Sequence, residues 1–412
     1  MPPQPRVVIV GGGFAGSAVA RQLGSQASVT IVSIDNFLLF TPMLAEAAIG
    51  DVDPRHIVTP IRQLAPHAAL VQGEVVAIDP ERKAVTVQPV FGAGPVTIEG
   101  DVLVISLGSV PATYGVVGVD EHALGFKEIS DALRVRNRVL ALLEGASLDR
   151  DPWLTKLAVV GAGYSGAELA AALGDFVREA SRLFYRDAPT PHVTLVDAVD
   201  RVTPALSRSL SAAAARALKS RGVSLALGSA VAEVTDRGVR LASGEMIEAA
   251  TIIWAAGVRP NPLVAEIGLA TVKGRLVVDG NMRAAPGVYA VGDVALVPSG
   301  GGLTSPPTAQ FALRQGRYLG RHLLALERGD PGVPEFSYGT KGELVSLGHR
   351  NAVGQVLGIP VSGLIGWFLW RSYYLLQLPT FLRKARVALD WTLDMVFPTD
   401  VAWIPTSDLG PR

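Results

Sequence analysis

The sequence predicts an α/β protein made of two parallel-sheet units of one design, followed by an amphipathic helical C-terminal region. Three observations carry that prediction. Val7, Val8, Ile9 and Val10 read as a buried parallel strand, and Gly11, Gly13 and Gly16 follow at G-x-G-x-x-G spacing before a helical Ser17-Ala18-Val19-Ala20 stretch. The design returns in mid-chain as Leu157-Ala158-Val159-Val160 with Gly161, Gly163 and Gly166. Later landmarks repeat at nearly the same offset: Leu103-Val104-Ile105-Ser106-Leu107-Gly108 resembles Ile252-Ile253-Trp254-Ala255-Ala256-Gly257.

Strand, glycines, helix is the context of a Rossmann-like dinucleotide-binding unit. The first glycine allows the tight turn, the second lets backbone approach a pyrophosphate, and the third lets the helix pack on the strand. Amide groups and the dipole at the helix start favour the anion. One such motif is weak, because glycines in a strand-to-helix turn can serve packing alone. Two copies suggest two dinucleotides and electron transfer between them. Gly108 and Gly257, each ending an apolar strand, are counted with the two nucleotide sites.

Composition narrows the chemistry. The 412 residues suffice for two or three domains. With 37 basic and 37 acidic residues, no nucleic-acid partner is expected. The absence of cysteine excludes disulfides, Cys-zinc sites, iron–sulfur ligation and a redox-active thiol, so electrons must pass through cofactors. The six histidines show no ligand spacing, and no metal is expected. The first strand starts by about Arg6 and leaves no room for a leader peptide, which points to the cytoplasm or the cytoplasmic face of a membrane.

In chain order, residues 29–32 read as the second strand. Its end, where an acid would bind a ribose, holds Ser33, so Asp35 is the candidate instead. Residues 36–44 are too apolar for an ordinary loop and are expected to be packed, as core or over a cofactor ring. Residues 83–89 and 96–99 read as hairpin strands, and 102–107 returns to the main sheet. Helical spacing spans 129–143, with arginines on a solvated face, and 145–153 reads as a linker. The helix after Gly166 runs to about 185, and strand 193–196 ends at Asp197, placed to bind two ribose hydroxyls and repel a 2′-phosphate. Glu168 lies one turn into that helix, where a carboxylate also suits the helix start. Residues 254–262 leave the second unit, and strands 276–279 and 288–291 return to the first, ending at Gly292-Asp293; Asp293 is a candidate for a ribityl hydroxyl, or a plain cap.

Taken together, these residues resemble the type II NADH:quinone oxidoreductases. The two fingerprints, Phe37-Leu38-Leu39-Phe40-Thr41-Pro42, Gly292-Asp293, the run from Ala309-Gln310 to Gln315-Gly316, Leu344-Val345-Ser346-Leu347-Gly348 and the tail from Leu389-Asp390-Trp391-Thr392 to Phe397-Pro398 carry the resemblance, in order and over nearly the whole chain. It implies a single-subunit flavoprotein that passes electrons from NADH through FAD to a membrane quinone, ubiquinone or menaquinone, without pumping ions. It assigns Gly11, Gly13, Gly16 and Asp293 to FAD, and Gly161, Gly163, Gly166 and Asp197 to NADH. Glu168 matches the family's acid beside the nicotinamide, and Ala309 and Gln310 match the pair at the quinone side of the flavin. Ser33 departs from the acid of many members. The implied domains are 1–125 with 270–345 for FAD, 126–269 for NADH and 346–412 for attachment.

Two other readings stay open: a flavin reductase with a different acceptor, and a non-enzymatic NADH-sensing flavoprotein. The C-terminal residues argue for a membrane acceptor. Residues 356–370 form an uncharged run of 15 residues broken by Pro360 and three glycines, whereas a span needs ~20. A second helix after Pro379 offers Phe381, Ala385, Leu389 and Val396 on one side, flanked by Arg383, Lys384 and Arg386. Four of the six tryptophans, Trp367, Trp370, Trp391 and Trp403, lie here, and Trp favours the membrane interface. A peripheral helix on the lipid bilayer surface is expected, and the same helices could form a homodimer contact.

Overall fold

The computed structural model describes residues 4–92, 94–300, 302–330, 333–340 and 342–404. The chain forms two compact units, Met1–Leu39 with Val58–Val110 and Val258–Gly339, and Phe40–Ile57 with Pro111–Gly257 and Thr340–Arg412. Residues 40–57 and the described residues 342–404 group with the second unit.

The first unit is built on an eight-stranded sheet in the order Arg283–Ala285, Val288–Ala290, Val102–Ile105, Arg6–Val10, Ser28–Ser33, Ala69–Asp79, Ala84–Pro89, Val96–Glu99. Its centre is parallel, with Val8 opposite Thr30 on one side and Leu103 on the other. β-Branched residues suit such strands because both faces are covered; Ile9, Val10, Ile31, Val32, Val104 and Ile105 are all buried. Helices Phe14–Leu23 and Ala309–Glu327 lie against each other, because Gly316 and Gly320 carry no side chain. A Cβ at Gly316 would overlap the Ala15 carbonyl oxygen, and one at Gly320 would lie 2.5 Å from Gln22 Cβ.

The second unit repeats the design with a five-stranded parallel sheet: Leu124–Gly125, Thr251–Trp254, Lys156–Val160, His192–Asp197, Val223–Leu227. Register repeats as well. Val160 pairs with Val196 as Val10 pairs with Val32, so Asp197 and Ser33 hold the same position one residue beyond. The expected linker at 145–153 is mostly helix, since Ile129–Asp149 is continuous. It opens on a Glu128/Asp131 capping box, and burial of Leu143 and Ala146 carries it past Gly145 to an Arg150 cap in the left-handed region. One of its arginines is not solvated. Arg136 is buried and donates to the carbonyls of Ile49 and Asp400, both at 2.6 Å.

Within this unit, strands Gly342–Ser346, Ala352–Val356 and Ile359–Ser362 form an antiparallel sheet, so the uncharged run begins as a strand. Helix Gly363–Gln377 follows, then Phe381–Asp394, whose Thr380 cap accepts from the Arg383 amide. Among the described residues no helix is long and apolar enough to cross a membrane. Three expectations for this region are corrected. Trp370 and Trp391 are buried at 1% and 5% exposure rather than presented outward. Trp391 donates to Glu46 Oε2 at 3.1 Å, and Trp370 packs on Tyr374. Arg383 is buried and donates to the Arg55 carbonyl at 2.6 Å, so it is a clamp on 54–56 rather than a flanking charge. Phe381, Ala385 and Leu389 are exposed along the second helix, Phe381 at 84%, but the helix ends at Asp394, so the exposed Val396 lies beyond it rather than on its face.

Candidate functional site

The two fingerprints fold alike. Gly11 has φ +105° and Gly161 φ +109°, values that favour glycine. A Cβ at Gly11 would overlap the Ser106 carbonyl oxygen, and one at Gly161 would lie 2.5 Å from that of Ala255. At Gly16 and Gly166 a Cβ would overlap the carbonyl oxygen of Gly11 and Gly161 respectively. Gly13 and Gly163 differ, because a Cβ there meets no protein atom within 4 Å. Each caps its helix with no side-chain capping bond and no acidic residue in the first turn. Each copy therefore presents bare backbone and a positive helix end to open space, the surroundings a pyrophosphate requires.

Around the first fingerprint, Ser33 occupies the strand end; a side chain at Gly12 would lie 2.9 Å from its Oγ. Asp35 is two residues farther and exposed. Gly108 has φ +68° and its carbonyl accepts from the Asn261 amide at 3.1 Å. Asp293 follows Gly292, which has φ +77°, and accepts from Ser109 Oγ at 2.7 Å. The Gly292 amide donates to Gln315 Oε1 at 2.8 Å. Buried Gln315 thus fixes the Gly-Asp turn, a role that sequence reasoning missed; its place at the end of the Ala309-to-Gly316 run was the available signal. Ala309 and Gln310 begin the Ala309–Glu327 helix, half-buried, with no acidic residue in the first turn.

In the second unit Asp197 accepts from the amides of Ala162 and Val199, the latter at 2.8 Å, so its carboxylate is held at the fingerprint turn. Gly257 has φ +138°, and a Cβ there would lie 2.6 Å from the Tyr114 hydroxyl. Glu168 accepts from the Ser346 amide at 3.0 Å and lines a cleft with Pro42, Glu46, Trp367, Trp370 and Arg371. Burial pushes its carboxyl up to about 8. Strand Gly342–Ser346 is held there by the next turn: Gly348 has φ +83°, and the His349 amide donates to Asp175 Oδ2 at 2.8 Å. The sequence marks Glu168 but nothing in it marks the cleft, whose walls are scattered along the chain.

Comparison with known proteins agrees with this geometry. Residues 5–316 match the pyridine nucleotide-disulphide oxidoreductase family. A probable NADH dehydrogenase of Dictyostelium discoideum is 30% identical, with 96% of this chain and 91% of the relative covered. The type II NADH:quinone oxidoreductase Ndh of Mycobacterium tuberculosis is 30% identical, with 95% and 88% covered. The structure of NDH2 from Plasmodium falciparum in complex with NADH superposes with a TM-score of 0.90 over 97% of this chain and 100% of that one; at 18% identity that likeness shows the fold.

Proposed function

The chain belongs to the type II NADH:quinone oxidoreductases, a branch of the pyridine nucleotide-disulphide oxidoreductases, and from that premise we propose how its residues divide the work. It is an FAD-dependent NADH:quinone oxidoreductase. Without cysteine it uses no redox disulfide despite the family's name. Bound FAD supplies a hydride acceptor that can pass two electrons on.

The residues present fit that group. Gly11, Gly13 and Gly16 form the cradle for its pyrophosphate. Asp293, oriented by Ser109, accepts from a ribityl hydroxyl, and Gly108 leaves room beside it. Ser33 or Asp35 meets the adenosine ribose. Gly161, Gly163, Gly166 and Gly257 do the same for NADH, and Asp197 takes its ribose hydroxyls and disfavours a 2′-phosphate. Glu168 stands beside the nicotinamide as an acid that keeps its proton near neutral pH. Ala309 and Gln310 line the quinone side of the flavin. The observation that carries the assignment is the matched pair of open second glycines, Gly13 and Gly163. Steady-state NADH oxidation by the yellow protein with ubiquinone and menaquinone analogues tests it; a flavin that NADH reduces but neither quinone reoxidises contradicts it.

The quinone's chemistry bears on location. The C-terminal helices expose Leu364, Ile365, Phe368, Leu376, Phe381 and Leu389, and Val396 and Phe397 are exposed just beyond them. Apolar area on this scale marks an interaction surface. We assign it to a lipid bilayer, on the cytoplasmic face, because a long-tailed quinone enters from the membrane; a homodimer contact is the competing occupant. Flotation with anionic liposomes at low salt separates the two.

A further inference from the structure

Behind Glu168 the cleft continues into a group of acids that the mechanism above leaves unused. Glu46, Asp51, Glu168 and His349 line it together with Arg371, and Asp394 stands next to Asp51. Arg371 Nη2 lies 4.0 Å from Glu46 Oε1 and 3.8 Å from Asp394 Oδ2. Its guanidinium sits over the rings of Trp367 and Trp391 at 4.3 and 4.7 Å. His349, 39% exposed, places Nε2 3.9 Å from Asp51 Oδ2 and Nδ1 3.9 Å from Asp394 Oδ2.

Four carboxyl groups thus face the Arg371 guanidinium and the His349 imidazole, with Arg136 reaching Asp51 from the Ile129–Asp149 helix. They cannot all be ionised, because charges taken out of water must be paired or neutralised. Asp51 faces Asp394, Glu46, Arg371, His349 and Arg136; burial, Asp394 and Glu46 push its carboxyl well above the usual range, against the pull of Arg371. Asp394 faces Asp51, His349, Arg371 and Glu179, and burial raises it too. Burial pushes Glu46 up to about 7, against the pull of Arg371 and the Trp391 N–H. Asp51, His349 and Asp394 each bring a carboxylate oxygen or ring nitrogen within 4.8 Å of the others, and two carboxylates this close favour holding a proton on one of them. Water entering a cleft lined by these groups would find hydrogen-bond partners that link them.

We propose that the Asp51–Asp394 pair, reached from solvent at His349, takes up the proton that quinone reduction consumes and delivers it along the cleft, past Glu46, to Glu168. The inference rests on the reading of this chain as a quinone reductase. The overall reaction, NADH + H⁺ + quinone giving NAD⁺ + quinol, draws one solvent proton per turnover, and the quinone gains two electrons and two protons in all. That proton is needed when the quinone accepts electrons, not when NADH gives up its hydride.

The test is stopped-flow kinetics of both half-reactions on Asp51→Asn holoenzyme across pH, with His349→Gln as a second variant at the exposed mouth. Flavin reduction by NADH stays within about twofold of wild type. Reoxidation by quinone slows by at least about tenfold above neutral pH, the scale of a lost proton-transfer group, and added formate restores it by carrying protons in. The infrared carboxylic-acid band of Asp51 is present in wild type at neutral pH and absent in Asp51→Asn. Should Asp51→Asn fail to fold, His349→Gln shows the same formate-rescued slowing to a smaller degree. Unchanged reoxidation in folded variants, or slowing that formate leaves unaltered, overturns the proposal. Wild-type protein that does not reduce quinone at all would instead remove the functional reading beneath it.

Discussion

A methyl group added at Gly13 meets no protein atom within 4 Å, and neither does one at Gly163. Both residues have φ near −70°, so larger side chains fit the backbone. Gly13→Val therefore leaves the fold intact and removes bound flavin, read from the visible spectrum. Gly163→Val stays yellow but loses NADH-dependent bleaching. Yellow Gly13→Val protein of normal flavin content contradicts the assignment of the first unit. If Asp197 meets the ribose as proposed, NADH is expected to be favoured over NADPH by about 2–4 kcal/mol, through ribose contacts and repulsion of the extra phosphate; comparable kcat/KM for the two nucleotides removes it from the site. Glu46 carries a pH signature. Its folded pKa lies above its unfolded value, so its stabilising effect is complete below about pH 4.5 and is lost as pH rises through about 7. Glu46→Gln keeps an acceptor for Trp391, and between pH 5 and 9 its stability gains on wild type by up to roughly 3 kcal/mol. Denaturant melts at the two pH values check this; parallel pH dependence of variant and wild type contradicts it.

Among elements, the paired helices of the first unit depend on Gly316 and Gly320. Gly316→Ala forces a Cβ onto the Ala15 carbonyl and costs about 1–3 kcal/mol, visible as a lower Tm; an unchanged Tm means the helices separate without penalty. The C-terminal helices need a gentler probe than truncation. Trp370, Val387 and Trp391 are buried and Arg383 holds 54–56, so deletion would strip the second unit of core. Phe381→Ser with Leu389→Ser and Val396→Ser changes only exposed side chains. The triple variant keeps its flavin and Tm and fails to float with anionic liposomes, whereas wild type floats. Flotation equal to wild type transfers the lipid contact elsewhere. What the sequence made legible follows the reach of each interaction. The fingerprints are local, and they were readable. The exposed stripe at Phe381, Ala385 and Leu389 was readable from helical spacing, although the helix stops at Asp394 before Val396. The Glu46–Trp391 bond was not, because its partners lie 345 residues apart. For the same reason two tryptophans suited to an interface turned out to be core. Gly145 looked like a break, but the burial of Leu143 and Ala146 outweighs one glycine's propensity.

At the scale of the whole molecule, the chain holds two copies of one dinucleotide-binding design and no thiol chemistry, so the flavin must link NADH to the acceptor. Sequence order alone led to that architecture, because a repeated fingerprint, register and strand-end glycine restrict the fold to few alternatives. It could not disclose the acid-lined cleft, which brings together 42–51, the Tyr164–Leu183 helix, Gly342–Ser346 and the C-terminal helices. The central claim is that electrons travel from NADH through FAD to a quinone. Anaerobic mixing tests it most directly. One equivalent of NADH bleaches the flavin, and one equivalent of a short-chain quinone then restores its full absorbance with stoichiometric quinol. Flavin that bleaches but stays reduced in excess quinone, or that NADH does not bleach, contradicts the account.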